Sequence, residues 1–227
     1  RAKLFGADLA DSRKKIILSR RSDKISEEIK GLHIKKTYDM GVFFKDLPRV
    51  RNICFEKTEL NFSYLKIEQP EVNLNQGDKL AIVGANGAGK STLLGSWLKK
   101  INQDYAYAPQ EFSAQETKEL TDELLGMDKD KRGEIFTLIS CLGSSPKSIA
   151  AGSLPSPGVW QKVMIAKAIV NKVPVLILDE PTNHMDLPSL EVLEEALGRY
   201  QGILICISHD QFFVESICNL ELKLEKK

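Results

Sequence analysis

A chain of 227 residues has room for one sizeable domain and an appendage, and 42% hydrophobic against 28% charged residues is the balance of an ordinary soluble globular protein. No apolar run approaches the roughly 20 residues that a bilayer span needs, and the N-terminal stretch lacks the apolar core of a secretion signal, which excludes direct membrane insertion. The net charge of +1 conceals an asymmetry: residues 1–50 hold 13 Lys and Arg against 7 Asp and Glu, a balance of +6, and the remainder holds 19 against 24, a balance of −5. A basic arm on a mildly acidic domain is read either as a surface for something anionic or as a plain solvated linker.

In chain order, residues 11–36 are basic, with Ile25, Ile29 and Leu32 at the spacing of one helical face, although Gly31 interrupts it. Leu47-Pro48 marks a break. Asn75-Gln76-Gly77-Asp78 reads as a turn feeding a buried strand at 80–84, LAIVG, and residues 91–101 follow with helical spacing. Residues 114–142 read as helical and amphipathic. A Pro/Ser/Gly-rich turn at 153–158 precedes a helix at 159–170. A buried strand is expected at 173–180, a helix at 189–200, a second buried strand at 203–210 and a helix start at 211–218. Apolar strands alternating with helices imply a parallel sheet covered on both faces. The four cysteines form no CxxC pair and have no His at ligand spacing. They read as reduced thiols of a cytosolic protein, with Cys206 and Cys218 as small core residues. The first Met is Met40, so the sequence is expected to be a piece of a longer chain.

Chemistry concentrates at strand ends. Gly84, Ala85, Asn86, Gly87, Ala88, Gly89, Lys90 and Ser91 fit G-x-x-x-x-G-K-[ST], between an apolar strand and a helix. Glycines let the backbone wrap phosphates with its N–H groups, Lys90 would reach the β- and γ-phosphates, Ser91 would ligate magnesium, and the helix adds its positive end. Farther on, Leu176-Ile177-Leu178 ends in Asp179 and Glu180. Two acids closing a buried strand are costly unless they act: Asp179 can hold magnesium through water, and Glu180 can orient or deprotonate the attacking water. His209 ends the next strand, as a satisfied core residue or as a donor to the γ-phosphate. Gln110, in YAPQ, is uninformative alone.

Taken together, GANGAGKST, the Gln of YAPQ, a Ser-Pro-Gly turn before a helix, LILDEPTNHMD and SHD resemble, in this order, an ATP-binding-cassette (ABC) ATPase domain. EPTNHMD (180–186) is especially similar to the ABC-F class, soluble cassette ATPases that act on ribosomes. The resemblance covers about 175 residues. It implies that Lys90, Ser91 and Thr92 contact phosphate and magnesium, that Gln110 is the Q-loop residue and a further metal contact, that Asp179 holds the metal, that Glu180 is the catalytic carboxylate and that His209 is the switch histidine. Asn183 to Asp186 would form the D-loop, and Tyr64, in preference to Phe62, would stack on adenine. The chain departs from the family at the signature motif, where Pro155-Ser156-Pro157-Gly158-Val159 stands for LSGGE. Ser156 and Gly158 keep a hydroxyl and a close-approach glycine, while Pro157 removes an N–H. That face would serve the partner cassette's ATP.

The expected fold is α/β: a RecA-like parallel core, an antiparallel β layer near 51–80 and a small helical subdomain near 112–160. Residues 1–50 form a basic arm resembling the linker between two ABC-F cassettes, and 51–227 the ATPase domain. The expected cofactors are ATP and Mg²⁺, and the expected partners a second cassette, in the same chain or as a homodimer, and the ribosome or its RNA. Two alternatives remain: the cytoplasmic ATPase subunit of a membrane transporter, and a regulatory module that holds ATP with little turnover.

Overall fold

Alternate side chains of a strand point to opposite faces, so a strand buried on both faces must be apolar at every position. Two segments are buried throughout, Val175–Asp179 and Ile203–Ile207, and are apolar at every position but Asp179, which closes the first. In the computed structural model they lie side by side inside one sheet. The structure describes residues 47–62, 65–145, 149, 157–183 and 185–225, all within the unit Asp39–Lys227.

The elements run β1 (Ile53–Phe55), β2 (Thr58–Phe62), β3 (Leu65–Gln69), β4 (Val72–Leu74), β5 (Lys79–Gly84), α1 (Lys90–Leu98), β6 (Tyr105–Ala108), α2 (Ala114–Gly126) and α3 (Lys129–Cys141). They continue with α4 (Pro157–Val170), β7 (Val175–Asp179), α5 (Leu187–Arg199), β8 (Ile203–Ile207), α6 (Gln211–Ile217) and β9 (Leu220–Leu224). The core is a five-stranded sheet in the order β6-β7-β8-β5-β9, and every pair in it is parallel. The β layer consists of two antiparallel pairs, β1 with β4 and β2 with β3. This is the ABC nucleotide-binding fold expected from the sequence.

The two faces of the sheet divide the core. Leu80, Ile82, Val175, Ile177, Ile203, Ile205 and Ile207 pack with Leu93, Leu94 and Trp97 of α1 and with the β layer. Ala81, Leu176, Leu178, Leu204 and Cys206 face α2 to α6. Phe55 of β1 stacks on Trp97 with ring centroids 4.0 Å apart and planes 8° from parallel, clamping the β layer to α1. The Trp97 Nε1–H donates to the buried Gln69 amide at 2.9 Å, so the indole is packed and paired at once.

Several boundaries differ from expectation for local reasons. The stretch 114–142 is two helices, because Asp128 caps a new start two residues after Gly126. The first of them opens on a reciprocal capping box between Ser113 and Glu116. The helix expected from 159 begins at Pro157, a first-turn position that suits a residue with no N–H to give. The strand expected at 203–210 ends at Ile207, since Asp210 already caps α6 by accepting from the Phe212 and Phe213 N–H groups. The edge strands β6 and β9 were not anticipated. Cys206 is buried and its Sγ lies 3.5 Å from that of Cys218, with both thiols free.

Candidate functional site

The carboxyl ends of β5, β7 and β8 meet at one edge of the sheet, the usual ligand position in an open α/β fold. Gly84 ends β5 with φ +154°, and a Cβ there would sit 2.5 Å from the Leu224 carbonyl oxygen, so only glycine lets β5 turn beside β9. The loop folds over itself through the Ala88 N–H, which donates to the Ala85 carbonyl at 3.1 Å. Ala88 itself is a buried anchor in the core beneath the loop. Gly89 enters α1 in the left-handed region, at φ +92°. Neither a capping side chain nor an acid occupies the first turn of this helix, so its N–H groups and positive end are free to meet an anion.

A cleft of about 340 Å³ opens there, lined by Asn86, Gly87, Gly89, Lys90, Ser91, Thr92, Gln110, Asp179, Glu180, Ile207 and His209. The fold thus gathers residues spread over more than 120 positions of sequence. A wider depression of about 650 Å³ lies at the opposite end of β5. Its two cations are already engaged, Lys79 with the Gly198 carbonyl and Arg199 with Glu195, and it gathers no acid–base group. The smaller cleft holds the chemistry.

Lys90, Asp179 and Glu180 are all buried. The Lys90 ammonium donates to the Gly84 carbonyl at 2.9 Å and the Ala85 carbonyl at 3.3 Å, and lies 3.0 Å from His209 Nε2. The same nitrogen is 3.3 Å from Glu180 Oε1. One ring nitrogen cannot serve both: unprotonated, Nε2 accepts from Lys90; protonated, it donates to Glu180. Glu180 Oε2 also accepts from the His209 backbone N–H at 3.2 Å. Asp179 accepts from the Ser91 and Tyr107 hydroxyls. Burial outweighs these partners in every case. It holds the Lys90 pKa below its ordinary value despite two nearby carboxylates, and it raises Asp179 and Glu180 above theirs despite hydrogen bonds and Lys90. Burial, reinforced by Asp179, pushes the Tyr107 phenol up to about 12.

The site therefore carries two destabilised carboxylates and one destabilised cation, a set suited to a partner bringing phosphate and metal together. Ser91 Oγ, Gln110 Oε1 and the Asp179 carboxylate are hard oxygen donors of the kind magnesium takes, few enough to leave positions for water and phosphate. Among the described residues no group of three or more His, Cys, Asp or Glu could hold a metal ion by itself. In the nucleotide-free protein a raised carboxylate pKa means that the folded state binds more protons than the unfolded one, so stability falls as pH rises above the ordinary values of 3.8 and 4.5. Asp179→Asn is accordingly expected to melt at a higher temperature than the parent at pH 8, in chelator and without nucleotide. The difference should close as pH falls below the ordinary carboxyl value of 3.8, where Asp179 is protonated in the folded and unfolded chain alike. Equal melting curves throughout that range would show that the carboxylate carries no burial penalty.

Other residues singled out from sequence stand elsewhere. Tyr64 and Ser156 lie outside the described residues. Gly158 is buried in the first turn of α4 and does not line the cleft. Asp186 caps α5, accepting from the Ser189 N–H at 3.3 Å. Asn183 donates its N–H to the Glu180 carbonyl at 3.2 Å. Two residues at the site were missed. Tyr107 touches Asp179, and Gln161, buried in α4, donates to the Pro109 and Asp179 carbonyls. The signal was present for Gln161: it and Lys162 are the adjacent polar pair in an otherwise apolar helix core.

A glycine loop entering a helix, opposed by two acids at the end of a neighbouring parallel strand, defines a P-loop ATPase, and the antiparallel layer and helical subdomain make it the cassette type. A family model described as ABC transporter matches residues 67–183, just over half of the chain. Curated relatives include the ribosome protection protein VmlR of Bacillus subtilis (strain 168), 33% identical over 83% of this chain and 36% of that protein. ABC transporter F family member 5 of Arabidopsis thaliana is 29% identical over 82% and 29% respectively. Among solved structures, one described as RNase-L Inhibitor has the same fold, with a TM-score of 0.64 at 15% identity, covering 88% of this chain and 42% of that one. This chain belongs to the ABC transporter family, as an ATPase domain of the ABC-F class. It spans about a third of the length of those two curated relatives.

Proposed function

We propose that this chain is one cassette of a two-cassette, ribosome-acting ABC-F protein, of the translation-factor or antibiotic-resistance kind, working in the cytoplasm. The single observation that carries the ribosomal part is the kinship with a protein named for ribosome protection, at 33% identity over most of this chain. The basic balance of residues 1–50 is consistent with an RNA partner.

At the site, the loop N–H groups and Lys90 bind the triphosphate, and Thr92 adds a hydroxyl at the helix start. Ser91, Asp179 and Gln110 hold magnesium, which when bound neutralises charge on the phosphates. Glu180 orients the attacking water and accepts its proton, and His209, already beside both Lys90 and Glu180, donates toward the γ-phosphate. Tyr64 stacks on adenine. Ser156 and Gly158 serve the nucleotide of the other cassette, and Asn183 to Asp186 meet that cassette across the interface.

The transporter alternative is separated by one experiment. Ribosomes are pelleted with the full-length Glu180→Gln protein in ATP at increasing salt. Binding through RNA phosphates falls steeply with salt, because each neutralised phosphate releases counterions. Replacing Arg13, Lys14, Lys15, Arg20 and Arg21 with Gln is expected to weaken pelleting at least tenfold and to flatten the log–log salt slope by up to about 4. Unchanged pelleting by that variant at every salt concentration makes the arm a linker, and no pelleting by either protein removes the ribosomal assignment. Among the described residues no helix is long and apolar enough to cross a membrane.

A further inference from the structure

Gln161 lies in the fifth position of α4 and is 2% exposed. Its Nε2 donates two hydrogen bonds of 3.2 Å each, to the carbonyl oxygens of Pro109 and Asp179. Both partners can only accept, so the NH₂ end of the amide must face them. The other end, Oε1, is buried without a partner. An ordinary core glutamine would satisfy both ends. This one is held by what its NH₂ group does.

The two carbonyls belong to the peptide groups that carry Gln110 and Glu180. Glu180 is one of two described non-glycine residues at positive φ, at +51°, a conformation that persists only where its surroundings over-determine it. Three bonds restrain its backbone: its N–H donates to the Ile207 carbonyl at 2.9 Å, its carbonyl accepts from the Asn183 N–H at 3.2 Å, and the preceding carbonyl accepts from Gln161. One residue farther along α4, Lys162 Nζ reaches Ser189 Oγ at 3.1 Å, on the turn that Asp186 caps. Gln161 and Lys162 thus tie α4 to the segment after β6, to the end of β7 and to the first turn of α5.

We propose that Gln161 is a positioning residue for ATP hydrolysis, fixing the 109–110 and 179–180 peptides so that Gln110 and Glu180 face the nucleotide together. It acts from the helix that begins at Pro157, so any movement of that helix reaches both residues through one side chain. Without Gln161 the strained Glu180 loses one of its three restraints and its carboxylate drifts. Misplacing a catalytic group by about 1 Å costs on the order of 100-fold in rate. The inference rests on the reading of Glu180 as the water-directing carboxylate.

The test uses Gln161→Met, which keeps length and volume but has no donor, in the full-length protein. Affinity for a fluorescent ATP analogue is expected to stay within about threefold, with kcat at least tenfold lower. Trp160→Phe is the control on the same helix. It removes a buried indole N–H that itself has no partner and should leave kcat within about twofold. Unchanged kcat in Gln161→Met overturns the proposal. So does loss of nucleotide affinity in parallel with kcat, or an equal fall of kcat in Trp160→Phe, since either means general damage to the helix. Glu180→Gln is run alongside. If it still hydrolyses ATP, the reading of Glu180 fails; if it is inactive while Gln161→Met is fully active, only the positioning role fails.

Discussion

Lys90→Ala should weaken ATP binding by two or more orders of magnitude while leaving the fold intact, as measured by titrating a fluorescent ATP analogue and comparing circular dichroism. Hydrogen bonds to charged groups contribute about 1.5–3 kcal/mol each, and one ammonium can reach oxygens of both terminal phosphates. The loss to the protein itself is small by comparison. Within the protein the Lys90 ammonium serves two loop carbonyls, those of Gly84 and Ala85, and the His209 ring nitrogen. Ala85 is exposed and Gly84 half-buried, so water can replace the lost donor. Burial already depresses the Lys90 pKa, which means that its charge is a burden on the nucleotide-free fold. Equal affinity in the two proteins, with matching spectra, would show that the loop does not hold phosphate.

Glu180→Gln is the second large effect: hydrolysis lost by a factor of about 10² to 10⁴, the usual contribution of a positioned general base, with ATP still bound. The amide has the same shape, and its oxygen can still accept from the His209 N–H, as Oε2 does at 3.2 Å. What it cannot do is take a proton from water. Burial raises the Glu180 pKa above its ordinary 4.5, so turnover by the parent protein should fall on acidification at a higher pH than a free carboxylate would dictate. Phosphate release is measured on the assembled two-cassette protein. Undiminished release by the variant would make Glu180 a structural acid, held only by His209 and its own backbone bonds.

These predictions draw on residues that short segments of sequence declare. The glycine loop is legible because its φ values of +77° at Gly87 and +92° at Gly89 demand a residue without a side chain, and because a strand and a helix must flank it. Asp179 and Glu180 are legible because two acids closing a run of buried positions contradict the cost of burying charge. The parallel core is legible because β7 and β8 are covered on both faces, which forces apolar residues from Val175 to Leu178 and from Ile203 to Ile207. Other features depend on partners far along the chain. Tyr105–Ala108 and Leu220–Leu224 are edge strands, each paired on one side and partly exposed: the first is only four residues long, and the second alternates apolar and charged residues. The strand order that brings Gly84, Asp179 and His209 to one cleft follows from the packing of whole layers. The left-handed turn at Glu180 is imposed by an Ile207 carbonyl 27 residues away, against that residue's own preference. The work of Gln161 exists only once α4 packs beneath β6 and β7, where one amide reaches carbonyls 52 and 18 residues distant. Local chemistry determines which residues can act; long-range hydrogen bonds and packing determine where they are held.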